Sequence, residues 1–173
     1  MRTTLNQIRA HLPCHDGWWR LLRGLNKTQP DDETLWIDTV LEHNGLDDAL
    51  WCLRAVENCD REIRLFGVWC ARRVQHHMAD ARSVAALDVA ERFARGEASD
   101  AEVAAARTAA GAAALWAAAR AAAAAAASTA AWAAEAAEEA ASAWAAVVDR
   151  DTERAAQAEE LRRICREMRE DGR

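Results

Sequence analysis

Ser99-Asp100-Ala101-Glu102 opens the run SDAEVAAARTAAGAAALWAAARAAAAAAASTAAWAAEAAEEAASAWAAVV, residues 99–148, and its reading decides the fold. Ser99 and Glu102 form a capping box, in which a serine and a glutamate three positions apart satisfy each other's backbone N–H. Of the 49 residues from Asp100 to Val148, 30 are alanine, the residue with the highest helix propensity. The run therefore reads as helix. As one straight rod it would be ~74 Å long. A compact chain of this size has a radius of gyration of only ~16 Å. The tract must fold back or project. Trp116, Trp132 and Trp144 are 16 and 12 residues apart, which turns successive rings by ~160° and ~120° on one helix. Three rings facing three ways do not make one partner face. A break near Ser128-Thr129, with Gly111 as the alternative, would let two alanine-rich helices pack antiparallel. Asp149–Glu170 reads as a charged final helix with Leu161, Ile164, Cys165 and Met168 on one side.

Upstream, the chain reads as six shorter helices. Leu5, Ile8 and Leu12 share one face of a first helix, which Pro13 ends. Asp16 is the expected cap of a second, carrying Trp18, Trp19, Leu22 and Leu25. Asn26 to Glu33 is a polar surface loop. A third helix carries Leu35, Trp36, Val40 and Leu41 and stops at Asn44-Gly45, because glycine takes the left-handed conformation without a Cβ clash. Leu46 to Val56 is a fourth, with Ala49, Leu50, Leu53 and Trp51 inward. Asp60 is the expected cap of a fifth, Arg61 to Met78, whose wide apolar face suggests burial. Asp80 is the expected cap of a sixth, with Val84, Leu87, Ala90, Phe93 and Ala94 inside and Gly96 after its end. The expected class is all-α: a multi-helix bundle in which short N-terminal helices pack with long alanine-rich C-terminal ones. Residues 1–173 form one helical domain, 1–98 being the short-helix part and 99–173 the alanine-rich part.

Composition narrows the function. The net charge is −6, with Lys27 the only lysine among 22 basic residues. Charge is spread without a basic stripe, so nucleic-acid binding is not expected. A basic protein partner suits the acidic excess. Arg120 and Glu135 cut the alanine tract into pieces too short to span a membrane. Five cysteines at irregular spacing, with no secretory signal, point to reduced thiols in the cytoplasm. Small residues along the alanine-rich surface make a homodimer plausible.

No constellation announces chemistry. His11, Cys14 and His15 cluster within five residues, but no second Cys/His pair has zinc spacing. His76-His77 face ~100° apart and suit a helix C-terminus better than a metal. Cys70 with His76 or His77 is the nearest cysteine–histidine pair, but Cys70 lies on the apolar row. Phosphate-binding glycine loops and nucleophile elbows are missing. No catalytic residue, cofactor or metal is expected. Asp47 and Asp48 favour a helix N-terminal dipole, or touch a partner. Arg54, Arg61, Arg64, Arg72, Arg73 and His76, with Asp60, Glu62 and Asp88, are the most informative polar set. They read either as ion pairs between helices or as a polar recognition groove among the fourth, fifth and sixth helices.

The segments Asn44-Gly45-Leu46-Asp47-Asp48-Ala49-Leu50-Trp51-Cys52-Leu53-Arg54, Asp60-Arg61-Glu62-Ile63-Arg64-Leu65, Cys70-Ala71-Arg72-Arg73-Val74 and Ala86-Leu87-Asp88-Val89-Ala90-Glu91-Arg92, then Gly96 and an alanine/tryptophan-rich tail, resemble a bacterial immunity protein family of the polymorphic-toxin type. The specificity lies in 44–96. The resemblance implies an all-α protein that protects a cell by binding and neutralising a toxin, without catalytic residues. Three other readings stand beside it: an anti-CRISPR-like inhibitor of a defence complex, a structural scaffold built on the alanine helices, and an enzyme or small-molecule binder using the arginine-rich groove. A pocket joining Arg61, Arg64, Arg72 and Asp88 would favour the last.

Overall fold

The computed structural model describes residues 1–77, 81–110 and 150–172. Among them the fold is all-α, with one two-residue strand pair. The expected break at Ser128-Thr129, the three tryptophans of the alanine tract and the Asp80 cap lie outside the described residues.

Helix α1 (Leu5–Ala10) starts at Thr4, whose side chain accepts from the Gln7 N–H. It buries Leu5 and Ile8. It is shorter than expected: Leu12 lies past its end in a left-handed conformation, φ 58°, and is 84% exposed. Pro13 has no N–H to continue the helix, so the chain turns before Leu12 can join the apolar face. α2 (His15–Gly24) is capped by Cys14, not by Asp16; the Cys14 Sγ accepts from the Gly17 N–H at 3.4 Å. Asp16 stands instead in the first turn.

Leu35 and Trp36 are not the start of the third helix. They form strand β2, antiparallel to β1 (Arg2–Thr3), with Arg2 opposite Trp36 and Thr3 opposite Leu35. The pair is secured by Thr3, which is buried and donates from Oγ1 to the Ala55 carbonyl at 2.6 Å. Helix α3 (Ile37–Asn44) follows directly. Gly45 joins it to α4 (Leu46–Cys52) with φ 88° and ψ −179°, a region essentially restricted to glycine. The fourth helix ends earlier than expected and tightens into a 3₁₀ turn at Leu53–Ala55. Trp51 is half-buried.

α5 (Asp60–Arg73) begins at Asp60, with Cys59 as its cap residue. It ends at Arg73 and tightens into a 3₁₀ turn, Gln75–His77. Ile63, Phe66, Gly67, Cys70 and Ala71 are buried, as its wide apolar face requires. α6 (Ala81–Ala94) ends before Gly96, which has φ 80°. The capping box forms: the Ser99 N–H donates to Glu102 at 2.8 Å and the Glu102 N–H to Ser99 Oγ at 3.3 Å. It starts α7 (Asp100–Ala110), which packs on α6.

The last element, α8 (Arg150–Glu170), returns to the N-terminal helices and touches α3, α4 and α5. Leu161, Ile164, Cys165 and Met168 enter the same core as Leu5, Ile8, Ile37, Leu50 and Phe66. Val68, Ala90 and Val103 form a smaller core under α5, α6 and α7. No helix among the described residues is long and apolar enough to cross a membrane.

Candidate functional site

The arginines of the predicted groove diverge. Arg72 reaches from α5 to α6, donating to Asp88 at 2.6 Å and Glu91 at 2.9 Å, and also to Gln75 at 2.8 Å. Burial works against its charge, but the two carboxylates outweigh it and its pKa rises. Arg73, its sequence neighbour, turns toward α8 and holds Glu153 in a two-bonded fork at 2.5 and 2.6 Å. That hydrogen-bonded pair raises the Arg73 pKa. Adjacent helical positions point about 100° apart, which sends the two guanidinium groups to different helices.

Arg54 folds back on its own turn, donating to the Trp51 carbonyl at 2.8 Å with its guanidinium 4.5 Å from the Trp51 ring. Arg64 lies 5.2 Å from the Phe93 ring. Arg61 approaches Glu62 at 3.9 Å. His76 is exposed in the 3₁₀ turn after α5. Asp47 accepts from Arg154 of α8 at 2.6 Å. Asp48 accepts from the Asn44 amide at 2.7 Å. Thus Arg72 and Asp88 meet, while Arg54, Arg64 and Arg73 serve other partners.

A groove of about 390 Å³ does involve Arg61 and Arg72, but it lies between α5, α6 and α8. Arg64 and Asp88 are not in its walls. Its rim pairs Arg72 and Arg95 with Glu91, and Arg163 with Glu160 and Glu167.

The more sharply built cavity is one that sequence reading did not single out. It measures about 150 Å³ and lies between the α1–α2 turn, α2, and the α3–α4 corner. Its apolar walls include Ile8, Trp18, Leu21 and Trp51; its polar groups are Cys14, Asn44, Asp47 and Asp48. Local structure sets these positions. The Gly45 corner places Asn44 and the Asp47-Asp48 pair side by side, and the Cys14 cap turns the thiol toward Gly17. Gly17 makes the approach possible: a Cβ there would stand 2.9 Å from the Asp48 carboxylate and 3.0 Å from Cys14 Sγ. The Asn44 amide donates to the Gly17 carbonyl at 2.8 Å and to Asp48, which fixes its orientation. Its Oδ1 is buried with no hydrogen-bond partner. In the sequence, Asp47-Asp48 and Cys14 stood out separately; the cavity itself joins segments about 30 positions apart.

Trp19 and Leu12 are the large apolar side chains left exposed among the described residues, at 44% and 84%. Both belong to segments that wall this cavity: Leu12 precedes Pro13 and Cys14, and Trp19 follows Trp18.

The five cysteines are free thiols, Cys14 exposed and the others buried. Burial pushes the Cys52 thiol up to about 12 and raises Cys70 and Cys165 as well. Cys70 is therefore held as a neutral thiol, which does not suit the nucleophile of a cysteine–histidine pair. Among the described residues, no three His, Cys, Asp or Glu side chains converge as they would around a metal ion.

The chain matches no protein-family model, no curated protein and no solved structure.

Proposed function

We propose that this chain is a non-enzymatic binding protein of the immunity type, which neutralises a protein toxin by covering its active surface. The observation that carries the reading is the exposure of Trp19 and Leu12 on a frame cross-linked by ion pairs. Solvent-exposed tryptophan in a well-packed frame is the kind of side chain that dominates protein interfaces. Arg72, Arg73, Arg154 and Arg169 tie α5 and α8 to their neighbours through carboxylates at 2.5–3.0 Å. A surface ordered before binding loses little entropy on association. The resemblance of 44–96 to the immunity family supports the same reading, and four buried free thiols suit a reducing cytoplasm.

Co-expression with a candidate toxin tests the proposal. Cells carrying the chain survive toxin induction, and Trp19→Ala with Leu12→Ala lowers survival while the helical content stays unchanged. Loss of viability regardless of the chain would contradict it.

A further inference from the structure

We infer that the cavity between α2 and the α3–α4 corner is a socket for one arginine side chain of the protein partner. This rests on the reading that the chain acts by binding a protein. It adds where the partner is gripped and by what chemistry.

Asn44 spends its amide on Gly17 and Asp48, and its Oδ1 has no accessible surface, so the acceptors open to a guest are the two carboxylates. Asp47 engages Arg154 through Oδ1, and Asp48 engages Asn44 through Oδ2, so each carboxylate has its second oxygen open. Among the described residues, no basic side chain lines the cavity. The polar lining is therefore rich in acceptors, and it asks for a guest rich in N–H donors. Guanidinium carries five, in a flat fork. The charged groups around the rim do not fill that role. Arg154 holds the outer edge of Asp47, Arg20 stands 3.8 Å from Asp48, and Arg9 and Arg54 lie 5.3 and 4.5 Å from the Trp18 and Trp51 rings. They also show that these carboxylates and rings accept guanidinium groups.

The apolar lining selects the stem. Ile8, Leu21, Trp18 and Trp51 suit methylenes and a planar end. A cavity of about 150 Å³ is the size that holds a six-atom ring, close to the bulk of an arginine side chain beyond its Cβ.

The test titrates the full chain, by backbone and indole NMR, with capped arginine, capped citrulline, and a capped Ala-Leu-Arg-Leu-Ala peptide. Citrulline keeps the shape and loses the charge. Capped arginine should give saturable shifts at Gly17, Asn44 and Trp51, and citrulline should bind about tenfold or more weakly. The peptide should bind at least as tightly as capped arginine. Gly17→Ala, which sets a methyl between Cys14 and Asp48, should abolish the shifts, and its unfolding midpoint shows whether the fold survives. Asp47→Asn is a second variant, at a surface position, that should weaken arginine binding.

Equal binding of citrulline, shifts confined to other residues, or no saturation would overturn the socket. Binding of capped arginine but not of the peptide would overturn the docking role and indicate a small-molecule site. The socket can fail while the chain still protects against a toxin, and protection can fail while arginine still saturates the cavity. The two claims are therefore separable.

Discussion

At the scale of single residues, geometry fixes the partners of several groups. Gly45 is the sharpest case. Its φ of 88° with an extended ψ is strained for any residue with a Cβ, although open space surrounds it. Gly45→Ala should therefore cost about 2 kcal/mol through the backbone alone, measured as a lower urea midpoint with an unchanged slope. Arg73 makes a second case. Arg73→Ala strips the fork from Glu153, whose side chain is only 8% exposed. With Arg73 itself one-third exposed, the cost should be about 2 kcal/mol rather than the full value for a buried pair. Glu102 gives a pH signature. Hydrogen bonds from the Ser99 backbone N–H, then from Arg92 and the Ser99 hydroxyl, hold its pKa at about 2, below the ordinary 4.5. A depressed carboxyl stabilises the fold fully above its unfolded pKa and loses that contribution as pH falls through its folded one. Amide protection at Glu102 and Val103, taken relative to the intrinsic exchange rate, should therefore fall as pH drops from 4.5 towards 2, and Glu102→Gln should abolish that dependence.

At the scale of elements, what was legible in the sequence was local. The capping box at Ser99–Glu102 is complete within four residues, so both its partners could be read from the chain. The apolar face of α5 follows from its spacing alone. Three misreadings share the opposite cause. Leu35 and Trp36 pass for helix because the strand they pair with, Arg2–Thr3, lies more than thirty positions upstream. Leu12 fits the periodicity of α1, but Pro13 ends the turn before it. Asp16 is the stronger N-cap by residue type, yet the weaker Cys14 Sγ holds that position in the turn. The arginine cluster was visible as composition and invisible as geometry, since Arg73 and Glu153 are 80 positions apart. The cavity was harder still to see, because it needs the α1–α2 turn and the α3–α4 corner side by side. A test of α5 as the central element follows. Phe66 is fully buried, its ring 6.2 Å from Trp69. Phe66→Ala should cost about 4 kcal/mol, seen in chemical denaturation.

At the scale of the whole molecule, α8 locks the N-terminal helices together. It contributes Leu161, Cys165 and Met168 to their core, and Arg169 donates from Nη2 to both Asp38 carboxylate oxygens at 3.0 Å while its guanidinium lies 4.4 Å from the Trp36 ring. This closure holds α3 and α4, and with them the socket, in one arrangement. The central claim is that such a fixed surface acts by occupying a target one-to-one. The direct measurement is toxin activity against increasing equivalents of the purified chain, at toxin concentrations well above the dissociation constant. The account predicts a linear fall that reaches zero at one equivalent. Activity that persists at excess chain, or that vanishes at a small fraction of an equivalent as turnover would cause, would contradict it.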